Sequence, residues 1–126
     1  MTAQLEHANV TVSNPQATAD WMCALFDWTV RWKGASLGGG TTIHVGTDRH
    51  YLALYNPNKP TTQAVDSYTV KGGLNHIAVV TTDLTGMQAK IRAAGFEPHS
   101  HADYEPGQRF YFHDHDGIEY EVVQYD

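Results

Sequence analysis

The chain has 126 residues, of which 41% are hydrophobic and 17% are charged, and its formal net charge is -6 at pH 7. This length accommodates one compact domain or two closely packed half-domains and excludes a large multidomain enzyme. Only 8 residues are lysine or arginine, and they are scattered, so the sequence offers no basic surface for a nucleic acid partner.

The first half of the sequence predicts a strand, a helix and three more strands. Residues 5–12 alternate between two faces, which indicates a strand with a partly polar face that includes His7. Asn14 and Pro15 supply a cap and a first-turn proline for a helix that runs to about Phe26. Three short segments then predict strands over residues 28–33, 41–45 and 51–55.

A second copy of this pattern follows a loop or linker. The linker is predicted over residues 57–73, which include many turn-forming and helix-breaking residues. Residues 74–80 then resemble residues 5–11, with leucine and histidine at matching places. His76 therefore corresponds to His7, and a strand that carries a histidine is predicted twice.

The remainder of the second copy also predicts a helix followed by strands. Asp83 can cap this helix, and Gly95 can end it. The last two strands, over residues 110–112 and 118–125, flank a turn at residues 113–117. We therefore predict an α+β fold of two βαβββ modules in a single domain. The modules are expected over about residues 4–56 and 74–126.

Internal duplication can bring residues at equivalent strand positions together near a pseudo-twofold axis. His7 and His76 form one such pair, on the first predicted strand of each module. On the last strands, Glu121 corresponds to Ala53, which has no donor atom. The sequence thus predicts a metal site of two imidazoles and one carboxylate, from His7, His76 and Glu121. Glu119 is the alternative carboxylate if the strand register shifts.

The predicted ligand set also limits the metal and the kind of site. Two neutral imidazoles and one carboxylate leave one net positive charge on a divalent ion and leave coordination positions open for substrate, water or dioxygen. The site is therefore expected to be catalytic rather than structural. Fe(II) suits such a set, and Mn(II), Co(II), Ni(II) and Zn(II) are alternatives.

Four motifs carry a resemblance to a known family. They are Leu5-x-His7, Leu74-Asn75-His76-Ile77-Ala78, Ala93-Ala94-Gly95-Phe96 and Asp114-His115-Asp116-Gly117-Ile118-Glu119-Tyr120-Glu121. With them the chain resembles, over nearly its whole length, the vicinal oxygen chelate superfamily of glyoxalases, bleomycin-resistance proteins and extradiol dioxygenases. His115 replaces the usual proline of the last motif, but the spacing from Gly117 to Glu121 is kept. The resemblance implies a cupped mixed sheet built from the two modules.

Particular residues narrow the range of reactions that the resemblance allows. Glyoxalase I typically has a second glutamate where this chain has Ala53, which argues against that activity. Extradiol dioxygenases are similar at two further positions, which implies that His50 acts as an acid or base and that Tyr111 donates a hydrogen bond to the substrate. The favoured interpretation is therefore an extradiol-dioxygenase-like oxidation of a small aromatic or enediol-type substrate.

Two other interpretations remain open at this point. A lyase or isomerase of the glyoxalase or epimerase type would need the metal but no dioxygen. A small-molecule binding protein of the bleomycin-resistance type would need no metal, although such relatives usually lack the ligand residues. The resemblance further implies a homodimer, and modules in such dimers are sometimes exchanged between the two chains.

The remaining features of the sequence point to no further chemistry. The chain has no apolar run long enough to cross a bilayer, and its first residues lack the basic and apolar regions of a signal peptide, so a cytoplasmic protein is expected. The single cysteine, Cys23, is interpreted as helix core packing. Five histidines receive no role from the repeat: His44, His99, His101, His113 and His115.

Overall fold

Residues 1–36, 38–63 and 66–126 are described by a computed structural model, and they fall into two units. Unit 1 comprises Met1–Thr62, and unit 2 comprises Gln63–Asp126. Part of the predicted linker, namely Ala64 and Val65, lies outside the described residues. Each unit contains one helix and one four-stranded sheet.

Unit 1 has the element order βαβββ. Its elements are β1 (His7–Thr11), α1 (Pro15–Phe26), β2 (Thr29–Ala35), β3 (Thr41–Gly46) and β4 (Tyr51–Asn56). The strands are ordered β1-β4-β3-β2 in the sheet. β1 and β4 are parallel, while the other neighbours are antiparallel. In this register Ala53 lies opposite Asn9.

Unit 2 repeats this architecture. Its elements are β5 (Ile77–Val80), α2 (Leu84–Ala93), β6 (His99–Tyr104), β7 (Gly107–His113) and β8 (Glu119–Tyr125). The strand order is β5-β8-β7-β6, again with only the first pair parallel. Glu121 lies opposite Ala78, the counterpart of Asn9, so Glu121 occupies the place that Ala53 has in unit 1. The predicted pair of βαβββ modules is confirmed.

Both helices begin where the sequence predicts, because a side chain caps each of them. Asn14 Oδ1 accepts a hydrogen bond from the backbone N–H of Ala17 at 3.1 Å, and Asp83 Oδ1 accepts one from Gly86 at 3.0 Å. Gly95 follows the end of α2 with a φ of 96°, which favours glycine. Within the described ranges, no helix is long and apolar enough to cross a membrane.

Each helix packs on its own sheet and buries apolar side chains between the two. In unit 1, α1 packs against β3 and β4, and the core includes Met22, Val45 and Leu54. In unit 2, α2 packs against β8. Among the described residues of unit 2, the largest fully buried side chains include Ile91, Phe110, Phe112, Tyr120 and Val122. Removing these large side chains from water is the main stabilising force in each unit.

Alternation along the last two strands separates the core of unit 2 from its polar face. Successive strand residues point to opposite faces of a sheet, so the residues on either side of Phe110, Phe112 and Tyr120 face away from the core. These outward positions are occupied by Arg109, Tyr111, His113, Glu119 and Glu121. Five polar side chains of β7 and β8 therefore share one face of the sheet, which we call the polar face.

Three details of the sequence prediction are wrong. β5 begins only at Ile77, where pairing with β8 starts, so His76 lies just before the strand rather than on it. His113 pairs with Glu119 and belongs to β7, so it is not part of the turn. Cys23 is half-buried on α1 rather than part of the core, and its partial burial raises the pKa of its thiol.

Candidate metal centre

His76 and Glu121 are in direct contact in unit 2. Glu121 lies in the centre of β8, and His76 lies two residues before the position opposite it. The distance between His76 Nε2 and Glu121 Oε1 is 3.0 Å, and the Glu121 side chain is only 10% exposed. Two of the three predicted metal ligands are therefore adjacent on the polar face of unit 2.

The residue before His76 determines which of its ring nitrogens faces the carboxylate. Asn75 Oδ1 lies 2.6 Å from His76 Nδ1 and accepts its hydrogen. The Nε2 lone pair then faces a carboxylate oxygen of Glu121. Two lone pairs at this separation require either a proton shared by the imidazole and the carboxylate or a metal ion between them.

His7, the third predicted ligand, is oriented in the same way within unit 1. It is the first residue of β1, and its Nδ1 lies 2.9 Å from Oε1 of the preceding residue, Glu6. This hydrogen bond is the main reason why the pKa of Glu6 is lowered. A histidine whose Nδ1 is held by a side-chain oxygen presents Nε2 as its ligand atom. Both histidines of the repeat therefore have the orientation typical of metal ligands.

Arg109 is a neighbour of Glu121 that the sequence did not indicate. Its Nη1 donates to Glu121 Oε2 at 2.9 Å, and its guanidinium lies 4.6 Å from the centre of the Tyr104 ring. Nε and Nη2 of Arg109 are buried and have no hydrogen-bond partner among the described residues. The only signal in the sequence is that Arg109 is two residues from Tyr111 and so shares its face of β7.

The two predicted catalytic residues lie in different units. Tyr111 is opposite Glu121 on β7, and its ring centre is 5.8 Å from that of His76. Burial and the charge of Glu121 raise the pKa of Tyr111, so its hydroxyl remains a hydrogen-bond donor. His50 is exposed in the turn between β3 and β4, where its carbonyl accepts from the N–H of Thr47 at 2.8 Å. The catalytic roles of Tyr111 and His50 stay predictions.

Four aromatic side chains form a row of ring contacts across the sheet of unit 1. This aromatic row consists of Trp32, His44, Tyr51 and His7. Their ring centres are 5.1 Å, 4.6 Å and 4.8 Å apart in that order, one residue from each strand. Burial lowers the pKa of His44, which favours its neutral form. The internal repeat assigned no role to His44, because the ring contacts of this row depend on the order of the strands in the sheet. The row concentrates aromatic side chains on one face of the unit 1 sheet.

A groove of about 620 Å³ lies elsewhere on unit 1 and contains none of the predicted site residues. It runs along the start of α1 and the facing parts of β2 and β3, and its lining includes Asn14, Lys33, Thr41 and Asn56. These residues form no cluster of metal ligands. We therefore place the candidate centre at His76 and Glu121 rather than in this groove.

Two βαβββ units, each with a histidine at its first strand, and a glutamate in the last strand define a protein of the vicinal oxygen chelate type. The family comparison agrees with this class. The chain belongs to the Glyoxalase/Bleomycin resistance protein/Dioxygenase superfamily, whose family model matches residues 4–122. No curated protein matches the chain. The predicted family is confirmed.

Solved structures share the fold at low sequence identity. A glyoxylase/bleomycin resistance protein/dioxygenase domain from Frankia sp. EAN1pec has a TM-score of 0.82 and 18% identity, with 100% of this chain and 94% of that chain covered. The antibiotic binding protein TnmS3 from Streptomyces sp. CB03234 has a TM-score of 0.77 and 17% identity, with 99% and 98% covered. The fosfomycin resistance protein FosX from Listeria monocytogenes, complexed with Mn(II) and sulfate, has a TM-score of 0.74 and 15% identity, with 100% and 95% covered.

Proposed function

We propose that the chain is a metal-dependent enzyme of this superfamily in which His7, His76 and Glu121 bind one divalent metal ion, with Fe(II) favoured. The observation that carries the proposal is the 3.0 Å approach of His76 Nε2 to Glu121 Oε1. Support also comes from the matching orientation of His7 and His76 by the residues before them. The Mn(II) bound by the structurally similar FosX is consistent with a divalent ion.

The ion would supply a Lewis acid with open positions for two vicinal oxygens of a substrate. Arg109 neutralises part of the charge of Glu121 and holds its Oε2, which leaves Oε1 toward His76 and the proposed ion. The protonated hydroxyl of Tyr111 would donate to a substrate oxygen. His50 would accept or return a proton as the acid or base.

The reaction that we propose first is an extradiol-dioxygenase-like oxidation of a small aromatic or enediol-type substrate. Ala53, at the place equivalent to Glu121, removes the second carboxylate that glyoxalase I uses. Tyr111 lies beside His76, which suits a hydrogen-bond donor to a substrate bound next to that histidine. A lyase or isomerase of the glyoxalase or epimerase type would use the same ligands without consuming dioxygen.

The chain is further proposed to form a homodimer. His7 lies in unit 1, whereas His76 and Glu121 lie in unit 2. In this superfamily a ligand set can be completed within one chain or by a second copy that exchanges modules. Light scattering of the purified protein gives the number of chains.

The test of the proposed function compares the wild type with His76→Ala after anaerobic purification. We expect close to one Fe(II) per wild-type chain, nearly complete loss in His76→Ala, and oxygen uptake with catechols by the loaded wild type only. His115→Ala is the matched control, because His115 is an exposed histidine outside the site. Metal binding without oxygen uptake from any catechol would reject the dioxygenase and leave the lyase or isomerase.

A second candidate function is binding of a planar small molecule without catalysis. The aromatic row of unit 1 favours it, with its Trp32 side exposed and Arg31 positioned 4.4 Å from the centre of the Tyr51 ring. TnmS3 is a structural relative that binds an antibiotic. A wild type that holds no metal, but whose tryptophan fluorescence is quenched by aromatic antibiotics, would establish this function instead.

Asn75→Ala should weaken metal binding about 10-fold, because hydrogen bonds to ligand histidines typically contribute 10-fold to 100-fold to metal affinity. The variant removes the oxygen that fixes His76 Nδ1 but leaves all three ligands in place. Anaerobic isothermal titration with Fe(II) measures the effect. Asn75→Asp keeps an acceptor oxygen and should retain the wild-type affinity. Equal metal affinity of Asn75→Ala and the wild type would show that Asn75 does not orient His76 for metal binding.

A further inference from the structure

Three side chains on β6, β7 and β8 form a second group of metal-ligand type in unit 2. They are His99, His113 and Glu119, and one donor atom of each lies within 4.8 Å of the other two. His99 Nε2 is 3.0 Å from His113 Nδ1, and His113 Nε2 is 3.3 Å from Glu119 Oε2. We propose that this group is a second metal site, which binds Zn(II).

A turn of the His113 ring would bring the three donors to the spacing of a tetrahedral zinc site. Ligand atoms at 2.0–2.1 Å from a tetrahedral ion are separated by about 3.3 Å. Each contact of His113 is close to this value, but the contact to His99 uses Nδ1 and the contact to Glu119 uses Nε2, so only one of them is a distance between two ligands of the same ion. One of its ring nitrogens would bind the ion, and its side chain is 48% exposed, which gives the ring room to turn. Two imidazoles and one carboxylate leave a further position for water.

The donor atoms of His99 and Glu119 are each oriented by another residue. His99 Nδ1 lies 2.9 Å from Ser100 Oγ, which directs Nε2 toward His113. Ser100 has a φ of 56° within the irregular part of the β6–β7 pairing, and such a bulge changes the direction of neighbouring side chains. The Tyr68 hydroxyl donates to Glu119 Oε1, which leaves Oε2 toward His113. Supporting hydrogen bonds of this kind are typical of metal sites.

This site shares no ligand with the first one. Glu119 and Glu121 are two residues apart on β8 and on the same face, roughly 7 Å from each other along the strand. The strand pairings place Trp32, Gly46 and Tyr51 of unit 1 at the positions equivalent to His99, His113 and Glu119. None of these three is a usual metal ligand, so unit 1 has no equivalent of the second site and the internal duplication does not explain it.

The test is a Zn(II) titration of metal-free protein against a chromophoric chelator. We expect two equivalents for the wild type, one for His76→Ala, one for His113→Ala and none for the double variant. Glu119→Gln should behave like His113→Ala, and it provides a second variant if one of them folds poorly. His101→Ala is the matched control, since His101 lies on the same strand as His99 but faces Gln88. Circular dichroism checks the fold of each variant.

Histidine NMR signals give an independent readout. In His76→Ala, addition of Zn(II) should shift the ring ¹⁵N resonances of His99 and His113 and leave those of His101 unchanged. The proposal is overturned if His76→Ala binds no Zn(II), or if it binds Zn(II) that persists after His113→Ala and Glu119→Gln. One equivalent that is insensitive to His76→Ala and lost in His113→Ala would support the second site while rejecting the first.

Discussion

Replacing Glu121 by alanine should lower the free energy of unfolding of the metal-free protein by about 3–5 kcal/mol. The Glu121 carboxylate binds Arg109 at 2.9 Å, and the two side chains are only 10% and 12% exposed. Removing the carboxylate would leave the guanidinium buried without a counter-charge, and its Nε and Nη2 already lack partners among the described residues. Urea denaturation with chelator present measures this change separately from any loss of metal.

The control for Glu121→Ala replaces both members of the ion pair. Arg109→Met combined with Glu121→Met should recover most of the lost stability, because apolar side chains of similar size avoid the cost of burying charge. The double variant should still bind no metal at the His76 centre. A loss below about 1 kcal/mol in Glu121→Ala would instead mean that Arg109 reaches solvent when its partner is removed.

Asp114→Ala should be the next most destabilising change, by about 2–4 kcal/mol, because it leaves buried donors without an acceptor. Asp114 Oδ1 accepts from the backbone N–H of Asp116 at 2.9 Å and of Ile118 at 3.0 Å, and Oδ2 accepts from the Tyr120 hydroxyl at 3.0 Å. These bonds close the turn between β7 and β8 and thereby hold the two strands in register. Thermal and urea unfolding measure the loss of stability.

Asp114→Asn is the matched control for this prediction. Burial raises the pKa of Asp114 more than its hydrogen bonds lower it, so the negative charge itself is not favoured at this position. An amide keeps one acceptor oxygen for the turn and can donate to the Tyr120 hydroxyl oxygen. We expect Asp114→Asn to cost less than about 1 kcal/mol. A cost as large as that of Asp114→Ala would show that the charge, rather than the hydrogen bonds, stabilises the turn.

The local signals in the sequence predicted the two modules well. Helix starts at Asn14 and Asp83 depend on a side chain that bonds a backbone group three residues away, so they can be recognised without tertiary information. The repeated Leu-x-His pattern and the spacing from Gly117 to Glu121 are equally local. They sufficed to predict the βαβββ fold, the superfamily and a glutamate at the place equivalent to Ala53.

The sequence by itself therefore determined the element order, the family and the candidate ligands His7, His76 and Glu121. Only the tertiary structure decided which side chain contacts Glu121 and which side chains form the second cluster. Arg109 reaches Glu121, and the His99 side chain reaches His113, through pairings between strands and a bulge at Ser100. Such contacts depend on register and side-chain direction, which residues distant in sequence establish together only when the sheet forms.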